Sequence, residues 1–359
     1  MSKVDRQTTF SGTKDVAAPL QFDVVRLETY LTRHVASFAG PLSVRQFKGG
    51  QSNPTYLLTT PARRYVLRRK PPGKLLPSAH AVDREFRVIS ALHAQDFPVA
   101  KPLLYCAEEA VAGTPFYLMA YVDGRVFWNP DMPGSNPAER AAVYDAMNAT
   151  LARLHGFDPA AIGLSDFGRG KNYVARQVER WSKQYRASET QNIGAMEKLI
   201  AWLPAHLPPP APVRLVHGDY RLDNIILAPA APEIRAVLDW ELSTLGDPLA
   251  DFTYHLMQWH MPPAEAGTGS LVGCDLKRLG IPTLDAYTDA YFARTGLDPR
   301  PHLPTYLAYN FFRIAAILQG IAGRVRDGTA TSEHAAAKAL LVPSLAEKAW
   351  EFAQQAGAR

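Results

Sequence analysis

The chain has 359 residues, 47% apolar and 20% charged, enough to bury a full core and long enough for two domains or lobes. Its formal net charge of +5 favours anionic small ligands such as nucleotides or coenzyme A, but the excess is small and dispersed, so nucleic acid is not the expected partner. Cys106 and Cys274 show no CxxC spacing, no apolar leader opens the chain and charged residues or prolines interrupt every apolar run; these features point to a reducing cytoplasm and away from a membrane.

Residues 1–20 mix small, polar and charged types without period and read as a flexible arm. From Phe22 to Phe38, Val25, Leu27, Leu31 and Val35 follow a helical period, and Gly40-Pro41 ends it. Val44–Phe47, Thr55–Thr60 and Tyr65–Arg68 read as three strands, the first two joined by Gly49-Gly50-Gln51-Ser52-Asn53-Pro54. Ser78 is placed to cap a helix carrying Glu85, Val88, Ile89 and Leu92 as far as His93, and Phe116–Val122 is a further strand. Beyond Asp123-Gly124 the pattern turns helical, over Pro137–His155 and again over Tyr306–Ile321, which is apolar nearly all round. A proline-rich stretch, Leu207 to Pro212, leads into the apolar strand Val213–Val216, and the segment from Ser332 to Arg359 reads as two helices broken at Pro343. The division expected is therefore an arm over 1–20, a first lobe over 21–122 and a larger helical lobe over 123–359.

The chemistry concentrates in His217-Gly218-Asp219-Tyr220-Arg221-Leu222-Asp223-Asn224, set between apolar runs. Phosphoryl transfer needs a carboxylate to orient the attacking hydroxyl and accept its proton, and an amide oxygen to help hold Mg²⁺ on the phosphates; Asp219 and Asn224 have those side chains. The competing reading is a polar turn in which both cap backbone. Ala236-Val237-Leu238-Asp239-Trp240-Glu241 follows, an apolar strand ending on a carboxylate that suits a divalent cation bridging phosphates, with a simple turn as its alternative. The chain contains no GxxxxGK[ST], no GxGxxG opening a helix, no HExxH and no GxSxG.

An HGDxxxxN followed by LDWE resembles the aminoglycoside phosphotransferase and choline kinase superfamily, relatives of the protein kinases, and the resemblance runs from about Phe22 to the C-terminal helices. It implies an α+β, two-lobed protein-kinase-like fold: a small N-lobe of antiparallel sheet plus helix and a larger, mainly helical C-lobe. It implies ATP and Mg²⁺ as cofactors, Asp219 as catalytic residue, and Asn224 and Asp239 as metal ligands. Gly49, Gly50, Gln51, Ser52 and Asn53 would be the phosphate-covering loop, although a Gly-Gly hairpin alone is only a turn. The family's third-strand Lys is replaced by Arg68, with Glu85 as expected helix partner; Arg carries the same charge on a different shape, and the alternative is a solvated strand end. Met119 and Tyr121 would flank the adenine at a hinge, or simply belong to a connecting strand. Gly246-Asp247-Pro248-Leu249-Ala250-Asp251 resembles the GDPxxD segment, which makes Asp251, with His217, structural support for the catalytic loop. His155, His255 and His260 show no metal-ligand pattern.

Only seven residues separate Asp239 from Asp247, leaving little room for a peptide platform, so the expected partner is a small-molecule hydroxyl acceptor held by 129–207 and 250–309. The segments Tyr65–Leu76 and Ala79–Phe86 resemble the branch also found fused to acyl-CoA dehydrogenases, which implies a hydroxyacyl-CoA or hydroxy acid. An aminoglycoside is the alternative within the family, and a non-catalytic nucleotide-binding module the alternative outside it. The oligomeric state and the choice of ATP over GTP stay open.

Overall fold

The computed structural model describes residues 6–49, 53–73, 80–263, 269–328 and 335–359. Their contacts divide the chain into one unit of Met1–Phe127, Ile162–Leu164 and Asp223–Ser243, and another of Trp128–Ala161, Ser165–Leu222 and Thr244–Arg359. The expected boundary after Val122 did not anticipate that Asp223–Ser243 returns to the first unit. The reason is local: the antiparallel hairpin Ile225–Leu227/Ile234–Val237 bridges Arg125 through Leu227, and Trp240 packs edge-on against Phe97.

The first unit is built on a six-stranded antiparallel sheet of β1 (Thr13–Lys14), β2 (Ser43–Phe47), β3 (Thr55–Thr59), β4 (Arg64–Arg69), β5 (Pro102–Cys106) and β6 (Phe116–Ala120), ordered β1-β2-β3-β4-β6-β5. Helix Val24–His34 starts where the Asp23 side chain accepts the Arg26 N–H at 2.9 Å. It buries Leu27 and Leu31 with Val35 and Phe38 among Tyr56, Leu58, Tyr65, Leu67, Phe116 and Leu118, so one sheet face is closed by aromatic and aliphatic side chains. Alternation along a strand then sends Arg68 and Tyr117, paired across β4 and β6, to the opposite face, where helix Val82–His93 supplies Glu85. The expected cap Ser78 lies outside the described residues.

Two segments depart from the sequence reading. The expected arm is structured over its described part: Arg6–Phe10 is helical, Thr13–Lys14 pairs with β2, and Leu20 O accepts from the buried Arg69 at 2.8 Å. A two-residue strand has no periodicity to read, and the burial of Arg69, which also donates to Tyr56 Oη and Ala112 O, is a tertiary event. Strand β5 was not anticipated either; it is the edge of the sheet, and Pro102 stands first in it, where a missing N–H is tolerated.

The second unit is mainly helical. Helix Leu303–Arg326 runs through its core and packs against Tyr173–Ser188, Pro248–Leu256 and Val342–Gln355, while Pro137–Gly156 packs against Leu284–Thr295. A short antiparallel ribbon, Arg214–Val216 with Thr244–Gly246, delivers the HGD segment. The break expected at Pro343 falls just before it: helices Ala335–Ala339 and Val342–Gln355 part there, and Pro343 sits in the first turn of the second, where its lack of an N–H costs nothing. Among the described residues no helix is long and apolar enough to cross a membrane.

Leu31 is fully buried where helix Val24–His34 meets the sheet. We expect Leu31→Ala to lower unfolding stability by about 2–5 kcal/mol, read from the urea midpoint at unchanged slope.

Candidate functional site

Within the second unit, strand Arg214–Val216 ends in a loop clamped by one carboxylate. Asp251 Oδ2 accepts the His217 N–H at 2.7 Å, and Oδ1 accepts the Gly218 N–H at 2.8 Å. His155 Nε2 lies 3.1 Å from the same Oδ2 and is itself held through Nδ1 by the Tyr291 hydroxyl at 2.7 Å. Burial works against the Asp251 charge, but the hydrogen bonds from the His155 ring and the His217 backbone hold its carboxyl below the ordinary range. Gly218 takes φ +85°, a conformation that side chains disfavour, and Arg313 donates to its carbonyl at 2.8 Å. Gly246 is needed for space, since a Cβ there would meet the Tyr173 ring at 2.8 Å.

Asp219 follows Gly218. Its N–H donates to His217 Nδ1 at 3.1 Å, and its Oδ1 accepts from the Tyr254 hydroxyl at 2.7 Å; Arg221 Nε lies 3.2 Å from the same oxygen as an ion pair without hydrogen-bond alignment. Beneath it Tyr220 is buried, its hydroxyl donating to Met147 O at 2.9 Å and its carbonyl 3.2 Å from His255 Nδ1. Sequence reasoning named Asp219, His217 and Asp251, which the structure joins, but missed Tyr254, Arg313 and His155 as their supports. The signals available were a helical step of three from Asp251 to Tyr254 and a charged Arg313 inside an apolar helix.

Within the first unit, Arg68 is the centre of an acidic cluster. Its Nε is 2.8 Å from Glu85 Oε2, an ion pair too misaligned to count as a hydrogen bond; one terminal nitrogen donates to Asp239 Oδ1 at 2.6 Å and lies 3.4 Å from Glu241 Oε2. Glu85 further accepts from Asn53 Nδ2 at 2.7 Å and the Tyr117 hydroxyl at 3.1 Å. Burial opposes the Arg68 charge, yet Glu85, Asp239, Tyr117 and Glu241 together hold its pKa well above the ordinary value. Burial pushes the Glu85 carboxyl up, against the pull of Arg68, Tyr117 and Asn53.

Asp239 itself adopts φ 64°, ψ 63°, a left-handed conformation uncommon outside glycine, and it opens the short helical turn Trp240–Leu242. Asn224 stands at the same end of the hairpin: its carbonyl accepts the Leu238 N–H at 2.8 Å, beside Asp239. A carboxylate and an amide are the hard oxygen donors Mg²⁺ takes alongside phosphate oxygens, so this pair fits that ion; among the described residues no cluster of three His, Cys, Asp or Glu is arranged for a metal. Of the expected phosphate loop, Gly50, Gln51 and Ser52 lie outside the described residues, Gly49 sits in the bend after β2, and the Asn53 side chain is fully buried on Glu85 and His80. Met119 pairs with Val66 inside the sheet; the Tyr121 N–H donates to Arg64 O at 3.4 Å, and the Tyr121 ring lies 4.0 Å from the Arg64 guanidinium. Tyr121 also borders a basic cavity of about 360 Å³ lined by Arg63, Arg64, Lys101 and Asp123.

Two expectations follow. Arg68→Ala strands the buried Glu85 without its countercharge and should cost about 3–5 kcal/mol in denaturant unfolding. His255 is buried and its pKa is lowered to about 4, mainly by desolvation. Between that value and the ordinary one near 6.5 the unfolded chain binds the extra proton, so stability should rise with pH across this window, by at most about 1.4 kcal/mol per pH unit from this group. Melting curves of His255→Asn should show a flatter dependence there.

Residues 43–298 match the model of the phosphotransferase enzyme family. Acyl-CoA dehydrogenase family member 10 of Mus musculus is 45% identical over 349 residues, covering 97% of this chain and 33% of the relative. Acyl-CoA dehydrogenase family member 11 of Homo sapiens is 40% identical over 354 residues, covering 96% and 45%. The chain thus spans between a third and under half the length of these two curated relatives. Among solved structures, a candidate aminoglycoside phosphotransferase from Ralstonia eutropha JMP134 is 49% identical with a TM-score of 0.84, covering 93% of this chain and 99% of that one. Spectinomycin phosphotransferase, solved with ADP and spectinomycin, has a TM-score of 0.60 at 12% identity, covering 94% and 99%, and speaks for the fold alone.

Proposed function

Because the chain belongs to the phosphotransferase enzyme family and has its kinase-like fold, we propose that it transfers the γ-phosphate of ATP to an alcohol group of a small molecule, with a hydroxyacyl-CoA or hydroxy acid as acceptor class. The observation that carries this reading is Asp219: an acidic side chain next to a glycine of φ +85°, on a loop whose backbone is clamped by the buried Asp251.

Asp219 orients the acceptor hydroxyl and takes its proton as the oxygen attacks the γ-phosphorus; the new O–P bond forms while the bond from the γ-phosphorus to the bridging oxygen breaks, and ADP leaves with that electron pair. Asn224 and Asp239 would hold the Mg²⁺, which when bound would neutralise charge on the phosphates. Arg68, fixed by Glu85, supplies the positive charge for the α- and β-phosphates that a lysine supplies elsewhere in the fold. Gly49 belongs to the segment assigned to the phosphates, and the Asn53 side chain braces Glu85, the partner of Arg68. Met119 and Tyr121 border the adenine.

The acceptor class rests on the curated relatives, whose names are those of acyl-CoA dehydrogenases, and on the short span between Asp239 and Asp247, which offers no peptide platform. An aminoglycoside acceptor is the second reading, favoured by the similarity to the Ralstonia chain.

The test is Mg²⁺-dependent ADP release from ATP, screened against hydroxyacyl-CoAs, hydroxy acids, choline, sugars and aminoglycosides. We expect stimulation by a hydroxyacyl-CoA or hydroxy acid, and a loss of at least about 10²-fold in Asp219→Asn with nucleotide binding intact. Asp239→Ala should weaken the Mg²⁺-dependent part of nucleotide binding in calorimetry. Wild-type turnover in Asp219→Asn would remove the base assignment, and tight ATP binding without stimulation by any acceptor would favour a non-catalytic nucleotide-binding module.

A further inference from the structure

Tyr254 lies on helix Pro248–Leu256, one helical step beyond Asp251, and buries its ring while its hydroxyl donates to Asp219 Oδ1 at 2.7 Å. Arg221 Nε stands 3.2 Å from the same oxygen. The ring is backed by Arg313, whose guanidinium carbon is 4.9 Å from its centroid and which also donates to Gly218 O at 2.8 Å. One buried arginine thus supports both the tyrosine and the backbone that carries Asp219. Burial and the Asp219 charge push the Tyr254 hydroxyl far above its ordinary pKa, so it keeps its proton and stays a donor.

We propose that Tyr254 is a positioning residue for the phosphoryl transfer: its hydroxyl fixes the rotation of the Asp219 carboxylate through Oδ1, beside the charge of Arg221, so that the acceptor hydroxyl meets a base of one orientation. The terminal torsion of an aspartate is broad and two-fold, and nothing intrinsic to the side chain selects an angle. A donor bonded to a carboxylate is a strong, short restraint, and small misplacement of a base is costly in rate while leaving substrate binding untouched. The inference rests on Asp219 being the base. A tyrosine that only filled the core would be replaceable by phenylalanine, since the ring and its contact with Arg313 would remain.

Tyr254→Phe isolates the hydroxyl. The assay is ADP release by the full chain from ATP and Mg²⁺, with 3-hydroxybutyryl-CoA or water as acceptor, alongside calorimetric ATP binding to show that the variant is folded. We expect kcat to fall by about ten- to hundredfold while the KM for ATP stays within about twofold. Tyr254→Phe at wild-type kcat, in a preparation where Asp219→Asn is inactive, overturns the positioning role and leaves the base assignment standing. A raised KM at unchanged kcat also overturns it, since the hydroxyl would then serve substrate binding. Wild-type turnover in Asp219→Asn, or no turnover by the wild type with any acceptor, sinks the reading beneath it instead.

Discussion

The carboxylate of Asp251 is the group on which the candidate catalytic loop depends. It is almost fully buried, and a buried carboxylate is tolerated only when its oxygens are hydrogen-bonded. Both are: the His217 and Gly218 N–H groups and the His155 ring converge on it. In satisfying one charge the fold fixes two consecutive peptide groups, and with them the left-handed turn at Gly218 that presents Asp219. Asp247 contributes in the same style, capping helix Pro248–Leu256 through the Leu249 and Ala250 N–H groups while Tyr306 donates to its other oxygen at 2.9 Å.

Arg68 organises the first unit in a comparable way, and the choice of arginine matters. An ammonium is a single point of charge, whereas the guanidinium fork reaches Glu85 with its Nε and Asp239 and Glu241 with a terminal nitrogen. The sheet prepares this arrangement by register alone: Arg68 stands opposite Tyr117, and the hydroxyl of Tyr117 reaches the same Glu85 oxygen as Arg68 Nε. Asn53 completes the Glu85 carboxylate from the other side, which explains why an asparagine follows a glycine-rich loop yet turns its side chain into the protein. The next residue along β4, Arg69, points to the opposite face and is equally buried, tying Leu20, Tyr56 and Ala112 together. Two adjacent arginines that look alike in sequence thus do different work.

Strongly periodic elements were legible from sequence. Helices such as Val24–His34 and Pro137–Gly156, strands β2, β3, β4 and β6, and the positions of the HGD, LDWE and GDPxxD segments follow from apolar spacing, caps and motif chemistry. Elements without a period were not: β1 is two residues long, and β5 is an edge strand opening on proline. The return of Asp223–Ser243 to the first unit was also invisible, because it is decided by a bridge to Arg125 and by the packing of Trp240 on Phe97.

What the sequence determined by itself is the inventory: an Asp and an Asn five positions apart, a second Asp at the end of an apolar strand, and a GDPxxD segment whose second Asp the family resemblance marks as a brace, residue types that phosphoryl transfer would use. What only the tertiary structure decided is the support. Tyr254, Arg313, His155 and Tyr117 act on residues distant from them along the chain or on other elements, and a polar side chain's partner is chosen by where helices and strands pack. Spacing along a chain carries local periodicity; the satisfaction of a buried charge is a property of the packed interior, where every unpaired group is costly and the partner is whichever donor the fold brings within reach.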